Sequence, residues 1–479
     1  MTLHEVPRLP PLPPAFTASW PRCPAPDGCA GRVVEPYPAC VAHLRPREFR
    51  RFVAELGPGS DLDLRGVVVT PALLETLLTA VTGAERRPRL GRLRCEEARL
   101  PEAVTWRGAR FERDCSFDGA YLAAGTSFPD VVFGGHVSFQ RARFGGDTSF
   151  HGALFRRYAT FDEAVFGGDA LFGETRWDAD ASFARVVFLG AAAFDRARFG
   201  RDVITTGARF EDAASFRRVR VGRNARCDRA RFRRGLWLGP MVAGGLISLA
   251  DAQARGGVSV QAAARRVAFD GATVRGGADL RLRHAELTLE NARFEGRASV
   301  RTADQPFAGL SEPPDWPAPV RVLTLRGAAA DRLELADLDL SRCRLLGGDR
   351  PEGLVLTGPC AFATLPAQWG AALSEGGLAS LYGRIAHATG DDALARELRH
   401  HAREARGSRP GRLRRWLFHV SWLACGHALR TGRTLLWITI VAIVVCALTA
   451  VRHQHPAASR TAPAPERRTA PPASYPSHP

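Results

Sequence analysis

Large apolar residues recur through the middle of the chain at alternating steps of five and six residues. Between Phe111 and Phe232 this spacing defines 23 positions, and 18 of them hold phenylalanine, out of 26 phenylalanines in the whole chain. A fixed step repeated this often predicts a solenoid, in which each unit packs only on its neighbours. We name these positions the phenylalanine ladder: Phe111, Phe117, Leu122, Phe128, Phe133, Phe139, Phe144, Phe150, Phe155, Phe161, Phe166, Phe172, Trp177, Phe183, Phe188, Phe194, Phe199, Thr205, Phe210, Phe216, Val221, Cys227 and Phe232.

Small residues form a second column two positions before the ladder, as Ala142 does before Phe144 and Ala164 before Phe166. Residues two apart on an extended strand point to the same side, so each unit directs one small and one large side chain inward. Gly and Asp, which favour turns, often follow the phenylalanine, as in FGGD at 144–147. The steps of three and four residues typical of a helix are missing, so the pattern predicts β-structure.

The A-x-F-x-x units, such as ARFGG at 142–146 and AVFGG at 164–168, resemble those of the pentapeptide-repeat family. Two further motifs, CVAHL at 40–44 and Leu381-Tyr382 followed by Trp416 and Trp422, resemble those of its membrane-anchored actinobacterial members. The resemblance implies a right-handed quadrilateral β-helix over 106–300, resuming at 321–365. Because every second unit has a sixth residue, four units should make a coil of about 22 residues, with two opposite corners enlarged. The predicted fold class is an all-β solenoid with an N-terminal Cys-rich and helical cap and with C-terminal helices.

Composition suggests the order of the remaining segments. A helix at 71–81 is expected to cover the open end of the solenoid, where strand edges would otherwise be exposed. The predicted segments are a Pro/Cys-rich N-terminal region (1–60), a helical cap (61–105), the β-helix (106–300), a Pro-rich loop (301–320), further repeat coils (321–365), a helical and juxtamembrane basic region (366–433), a transmembrane helix (434–451) and a disordered tail (452–479).

The transmembrane prediction rests on an apolar stretch at 434–451 that contains no charge, proline or glycine and is just long enough to cross a bilayer as a helix. A buried core helix is the alternative. Arginines are denser on its N-terminal side, which places the N-terminal domain in the cytoplasm and juxtamembrane arginines near anionic lipid. The predicted localisation is therefore a single-pass protein of the cell membrane.

A candidate metal site lies near the N-terminus, where Cys23, Cys29, Cys40 and His43 form a C-x5-C-x10-C-x2-H pattern. Three thiols and an imidazole make a tetrahedral zinc set, and a structural zinc would let a short proline-rich region fold with little core. The alternative is a group of free cysteines packed in a small apolar cap. No other cofactor is predicted.

The chain has a formal charge of +17, and all 66 basic residues are arginine. Nine of them fall within 217–234, and none of the nine occupies an inward position of the ladder, so all should face solvent. Such a surface suits phosphate groups of lipid or nucleic acid, or an acidic protein, and the alternative is a generic arginine-rich surface. We name these residues the arginine band: Arg217, Arg218, Arg220, Arg223, Arg226, Arg229, Arg231, Arg233 and Arg234.

Motifs of common enzymes are missing: the sequence has no P-loop, nucleophile elbow or H-E-x-x-H. No catalytic residue is predicted. We expect a non-enzymatic, membrane-anchored scaffold or binding protein with a cytoplasmic solenoid, an unidentified protein partner and a dimer as an open option. Two alternatives remain: a membrane-associated enzyme or redox protein that uses the Cys-rich N-terminus, and nucleic-acid or phospholipid binding through the arginine band. Outward aromatic residues are not interleaved with the band, which disfavours nucleic acid.

Overall fold

The computed structural model describes residues 19–25, 28–313, 316, 319–344, 354–358, 360–361, 396 and 399–400. Within these residues the chain winds into a β-solenoid preceded by a small helical cap. The cap and first coil contain the 3-10 helix Val41–His43, α1 Pro46–Ala54, β1 Ser60–Asp63, α2 Pro71–Ala80, β2 Arg89–Arg94 and β3 Arg99–Leu100.

Short strands then follow one another at the spacing of the phenylalanine ladder. They are β4 Arg110–Phe111, β5 Cys115–Ser116, β6 Tyr121–Leu122, β7 Val132–Phe133, β8 Val137–Ser138, β9 Arg143–Phe144, β10 Thr148–Ser149, β11 Leu154–Phe155, β12 Ala159–Thr160, β13 Val165–Phe166, β14 Ala170–Leu171, β15 Arg176–Trp177, β16 Ala181–Ser182, β17 Val187–Phe188, β18 Ala192–Ala193, β19 Arg198–Phe199, β20 Val203–Ile204, β21 Arg209–Phe210, β22 Ala214–Phe216, β23 Val219–Val221, β24 Ala225–Arg226 and β25 Arg231–Phe232.

Longer strands make up the last described coils. They are β26 Leu236–Ser248, β27 Gln253–Ala254, β28 Val258–Ala268, β29 Thr273–Val274, β30 Ala278–Arg283, β31 Glu286–Thr288, β32 Arg293–Thr302, β33 Arg321–Thr324, β34 Ala329–Ala336 and β35 Leu354–Thr357.

From β7 to β25, each coil is built from four strands. A strand pairs in parallel with the strand four elements later, as β9 does with β13 and β10 with β14. Phe144 therefore lies beside Phe166 of the next coil. The predicted β-solenoid and its predicted coil length are confirmed for this region, whereas its handedness stays a prediction.

Stacked aromatic rings fill the interior of the solenoid. Phe144 and Phe166 stack with ring centroids 4.3 Å apart, and Phe139 and Phe161 stack at 4.8 Å. These distances arise because neighbouring parallel strands lie about 4.8 Å apart, so identical residues in successive coils meet face to face. The described ladder positions are buried, including the non-phenylalanine residues Leu122, Trp177 and Thr205.

Two kinds of corner alternate around each coil, as the alternating spacing predicts. The five-residue units place a residue with positive φ at the corner, for example Asp130 at 56°, Arg141 at 55° and Gly152 at 69°. The six-residue units have one more residue at their corner. In several of them an Asp at this corner accepts a hydrogen bond from a backbone amide of the next coil. Asp147 Oδ1, for example, accepts the amide N–H of Asp169 at 2.8 Å. Corner carboxylates such as this one are therefore structural.

Coil length changes around β26. The bond from the amide of Ala184 to Asp162, which follows the inward Phe161, spans 22 residues. The corresponding bond from the amide of Glu290 to Asp270, which follows the inward Phe269, spans 20 residues. Two register shifts between β26 and β28 account for the difference, because each removes one residue from the coil. Strands β26 and β28 are 13 and 11 residues long. Each continues through positions that form corners in the preceding coils.

The cap begins with α1 and continues through β1 to α2. β1 pairs with β2 of the first coil, and Leu74 and Leu77 of α2 are buried in the core. Pro71 stands in the first turn of α2, and Thr70 Oγ1 accepts the amide of Leu73 at 3.3 Å, both favourable at a helix start. The helix predicted at 71–81 is confirmed.

The predicted membrane localisation is not supported. Among the described residues, no helix is both long and apolar enough to cross a membrane. The longest described helix, α2, has 10 residues and spans about 15 Å at 1.5 Å per residue, against a hydrocarbon core of about 30 Å. This finding contradicts the predicted single-pass protein with a cytoplasmic N-terminal domain. The segments 434–451 and 452–479 lie outside the described residues, as does 366–433 apart from the helical positions Arg396, Arg399 and His400.

Candidate metal centre and arginine surfaces

Cys23, Cys29, Cys40 and His43 come together in the folded chain. One donor atom from each lies within 4.8 Å of the other three, and no other group of this kind occurs among the described residues. The sulfur atoms of Cys29 and Cys40 are 3.8 Å apart, and His43 Nδ1 lies 3.3 Å from Cys40 Sγ and 3.6 Å from Cys23 Sγ. The structure therefore places together the four residues that the sequence pattern predicts as metal ligands.

These distances fit a tetrahedral zinc ion. With Zn–S bonds of about 2.3 Å and Zn–N bonds of about 2.0 Å, a tetrahedron has S···S edges of about 3.8 Å and S···N edges of about 3.6 Å. These three separations match the tetrahedral edges to within a few tenths of an ångström, and all six donor separations are within 4.8 Å. The cluster could thus hold a metal ion, with all four positions supplied by the protein, as in structural rather than catalytic zinc sites.

Local backbone structure brings the first three ligands together. Arg22 and Arg32 form an antiparallel bridge, and the amide of Cys23 donates to the carbonyl of Gly31 at 2.7 Å. With this pairing, Cys29 lies next to Cys40, and their sulfur atoms are 3.8 Å apart. Gly31 lies between them: a Cβ there would be 2.9 Å from Cys40 Cβ and 3.2 Å from Cys29 Sγ. Only glycine allows the two thiols to approach across this backbone.

The last ligand comes from a single helical turn. Cys40 directly precedes the 3-10 helix Val41–His43, and the amide of His43 donates to the carbonyl of Cys40 at 2.9 Å. This turn returns the imidazole towards the Cys40 sulfur. We name residues 20–43 the knuckle.

The knuckle is attached to the first coil through a carboxylate. Asp63 Oδ2, on β1, accepts hydrogen bonds from Arg32 Nη1 at 2.8 Å and from Arg65 Nη2 at 2.6 Å. Burial alone would raise the pKa of Asp63, but the two guanidinium groups outweigh it and hold that pKa below its usual value. The Arg65 guanidinium also lies over the ring of Trp20, 5.2 Å from its centroid, a cation–π contact. Order in the knuckle is thus coupled to the start of the solenoid.

The thiols of the cluster differ in acidity. Burial, followed by the charge of the neighbouring Cys29 sulfur, raises the pKa of Cys40 to about 12. Burial also acts to raise the pKa of Cys23, but hydrogen bonds from the backbone of Cys40 and Ala25 outweigh it and leave that pKa below its usual value. Since thiolates this close repel one another, a bound cation is the natural counter-charge for the cluster.

The arginine band encircles the solenoid rather than covering one face. Arg220, Arg226 and Arg231 lie on the successive strands β23, β24 and β25, which form three different walls of one coil. Eight of the nine arginines are exposed and Arg220 is half-buried, as the register predicts. Residues near in sequence therefore spread around the coil, and residues one coil apart become neighbours.

Stacking of coils brings together a different set of arginines. Arg231 and Arg233 of the band lie beside Arg209, Arg255 and Arg275 in a groove on the wall formed by β21, β25, β27 and β29. We name it the arginine groove. The sequence prediction missed Arg209, Arg255 and Arg275. A search for arginines one coil apart would have found the pair Arg209 and Arg231 and the pair Arg233 and Arg255.

Comparison with known proteins identifies the repeats. Residues 107–154, 128–176 and 172–220 match the family model described as pentapeptide repeats (9 copies). No curated protein and no solved structure matches the chain. The predicted resemblance to the pentapeptide-repeat family is confirmed for these residues. The match does not test the A-x-F-x-x, actinobacterial or membrane-anchored subtype, which stays a prediction.

Proposed function

We propose that this protein is a non-enzymatic pentapeptide-repeat scaffold that binds a partner through the outer walls of its solenoid. The observation that carries the proposal is the filled interior: buried ladder side chains occupy the axis of successive coils. Binding groups must therefore lie on the outer walls or at the ends. The corner carboxylates support a scaffold role because they bond to backbone amides of the next coil, as Asp162 Oδ1 does to Ala184 at 2.9 Å.

The second part of the proposal concerns the N-terminal end. A structural zinc ion bound by Cys23, Cys29, Cys40 and His43 holds the knuckle, and the knuckle holds the first coil through Asp63. An end of this kind is vulnerable because a solenoid lacks a neighbouring coil there, and a capping element is needed. Zinc contributes folding free energy directly in small domains of this type.

Metal analysis of the purified full chain tests the zinc site. We expect about one zinc per chain in the wild type, and loss of most of it in Cys23→Ser. Cys227→Ser is the matched control because Cys227 is a buried ladder residue far from the cluster in sequence; its zinc content should equal that of the wild type.

Two results would contradict the zinc proposal. One is wild-type protein without bound metal after purification in zinc-containing medium. The other is a disulfide between Cys29 and Cys40 in the non-reduced protein, since their sulfur atoms are only 3.8 Å apart. That result would favour the redox alternative instead.

A further inference from the structure

The arginine groove is a surface where arginines stack on arginines and enclose a concavity. Its volume is about 540 Å³, within the range of sites for small ligands. Arg209, Arg231, Arg233, Arg255, Arg275 and Glu211 line it. All five arginines are exposed and Glu211 is half-buried.

The groove lies where the inward side chains of this wall become smaller. Phe210 and Phe232 occupy the large inward position in two coils, and Ala254 and Val274 occupy it in the next two. The coil from Ala254 to Val274 is also shorter than the coil from Phe232 to Ala254. A wall supported by smaller side chains on a shorter coil can lie closer to the axis, since interiors are close-packed.

Several arginines elsewhere on the described walls have a different environment. Arg185 pairs with Glu163 at 2.7 Å and Arg196 with Glu174 at 2.9 Å, each across 22 residues. Such pairs neutralise charge between successive coils.

Charge in the groove is only partly neutralised. Arg233 pairs with Glu211 at 3.4 Å, and Arg275 with Glu295 at 3.7 Å. The guanidinium groups of Arg209, Arg231 and Arg255 have no hydrogen-bonding or ion-pair partner within the described part of the chain. Three unpaired cations are thus held together on a rigid wall.

Strand geometry sets the spacing of these cations. Arg209 and Arg231 stand opposite each other on the paired strands β21 and β25 of successive coils, which lie about 4.8 Å apart. Arg231 and Arg233 flank the inward Phe232 and are two residues apart, or about 6.6 Å along an extended strand. A ligand that carries several adjacent anionic groups matches this spacing and could contact three or more of these guanidinium groups at once.

The geometry points to a binding site for a small oligophosphate, an anion with two or more linked phosphate groups, in the arginine groove. Guanidinium groups match phosphate oxygens with paired hydrogen bonds. The site deepens the proposed function, since it assigns a ligand class to one outer wall, but it does not depend on zinc.

Two larger ligand classes fit the groove less well. An acidic peptide that adds as a strand requires an unpaired strand edge, but β25 and β27 are each paired on both sides. Single-stranded nucleic acid requires aromatic rings on which bases stack. The rings of Phe210 and Phe232 are 1% exposed and point inward, and Trp237, the only exposed tryptophan among the described residues, lies outside the groove.

Titration calorimetry of the full chain with inorganic tripolyphosphate tests the inference. We expect tripolyphosphate to bind at least about tenfold more tightly than orthophosphate at low salt. Arg231→Gln and Arg255→Gln should each weaken binding by about tenfold, since each removes one charge-assisted hydrogen bond to the ligand. If tripolyphosphate also removes zinc, the heat of that reaction is the same for wild type and variants, because the knuckle is unchanged in them.

Arg198→Gln is the matched control. Arg198 is also exposed and also stacks between two arginines, Arg176 and Arg220, but on the opposite wall. It should leave tripolyphosphate affinity within twofold of wild type. Equal weakening by Arg198→Gln and Arg231→Gln would overturn the inference in favour of non-specific charge. So would tighter binding of a 20-nucleotide single-stranded DNA that depends on Arg231 and Arg255.

Discussion

Gly31 shows how one residue sets the geometry of the metal centre. A Cβ at this position would lie 2.9 Å from Cys40 Cβ and 3.0 Å from Cys40 Sγ, closer than such atoms normally approach. The backbone is held by the bond from the amide of Cys23 to the carbonyl of Gly31. Relief of the clash must therefore separate the sulfur donors.

We predict that Gly31→Ala weakens zinc binding by about tenfold or more, the usual cost of disturbing residues that position metal ligands. Competition with a chromogenic chelator measures this change. Gly57→Ala is the control, since no atom lies within 4 Å of a Cβ at Gly57 and its φ is not positive. Equal zinc retention by both variants would contradict the role given to Gly31.

The sequence predicts whether a single residue faces the interior or the solvent, but it does not predict which residues become neighbours on a wall. Alternation along a strand is local, so the register correctly placed Phe144 inside and Arg231 outside. Neighbours on a wall are separated by a whole coil, and a sequence window that contains Arg231 does not contain Arg209 or Arg255. The metal ligands were easier to recognise because thiols and imidazole within a short segment have few other uses.

The loop between β32 and β33 is an element whose attachment depends on one carboxylate. Phe307, Leu310 and Trp316 pack over Val242 and Ala263 on the outer wall. Glu312 Oε2 accepts Arg283 Nε at 2.7 Å and lies 3.0 Å from His284 Nε2.

Burial alone would raise the pKa of Glu312, but its bonds to Arg283, to the backbone of Phe307 and to His284 lower it below the ordinary value of 4.5. A lowered carboxyl pKa stabilises the folded loop above pH 4.5, and this stabilisation is lost as the pH falls through the lower, folded-state pKa. We predict that the loop loosens in acid.

Hydrogen exchange of the peptide 303–312 between pH 7 and pH 3.5, corrected for intrinsic rates, measures this loosening. Glu312→Gln should raise exchange already at pH 7, because the buried guanidinium of Arg283 then lacks its charged partner. Glu295→Gln serves as the comparison: it removes a carboxylate whose side chain is 60% exposed and should leave the loop unchanged. A loop equally protected at both pH values would contradict the role given to the Glu312 carboxylate.

Some structural elements could be predicted from the sequence and others could not. The helix Pro71–Ala80 was predicted because proline and leucine spacing are local signals. The change to shorter coils was not predicted, since it depends on two register shifts within β26 and β28. The Pro-rich loop was recognised from its break in register, but its packing on Val242 and Ala263 depends on contacts distant in sequence.

At the largest scale, the described solenoid is a one-dimensional stack whose coils stabilise their neighbours. Each buried phenylalanine contributes about 2–3 kcal/mol, and most of this depends on the adjacent coil. The first coil has a neighbour on one side only, so its stability depends on the cap and on the link from Arg32 to Asp63. The proposed zinc ion at the knuckle would therefore stabilise the N-terminal end of the solenoid.

Hydrogen–deuterium exchange of the full chain, with zinc bound and after its removal by a chelator, tests this claim most directly. Zinc removal should speed exchange at least about tenfold in the knuckle and in β1, because metal binding and local folding are coupled. Strands from β8 to β19 should keep their protection, since stacked rings hold them independently of the end. Unchanged exchange in the knuckle and β1, with zinc loss verified in the same sample, would contradict the account.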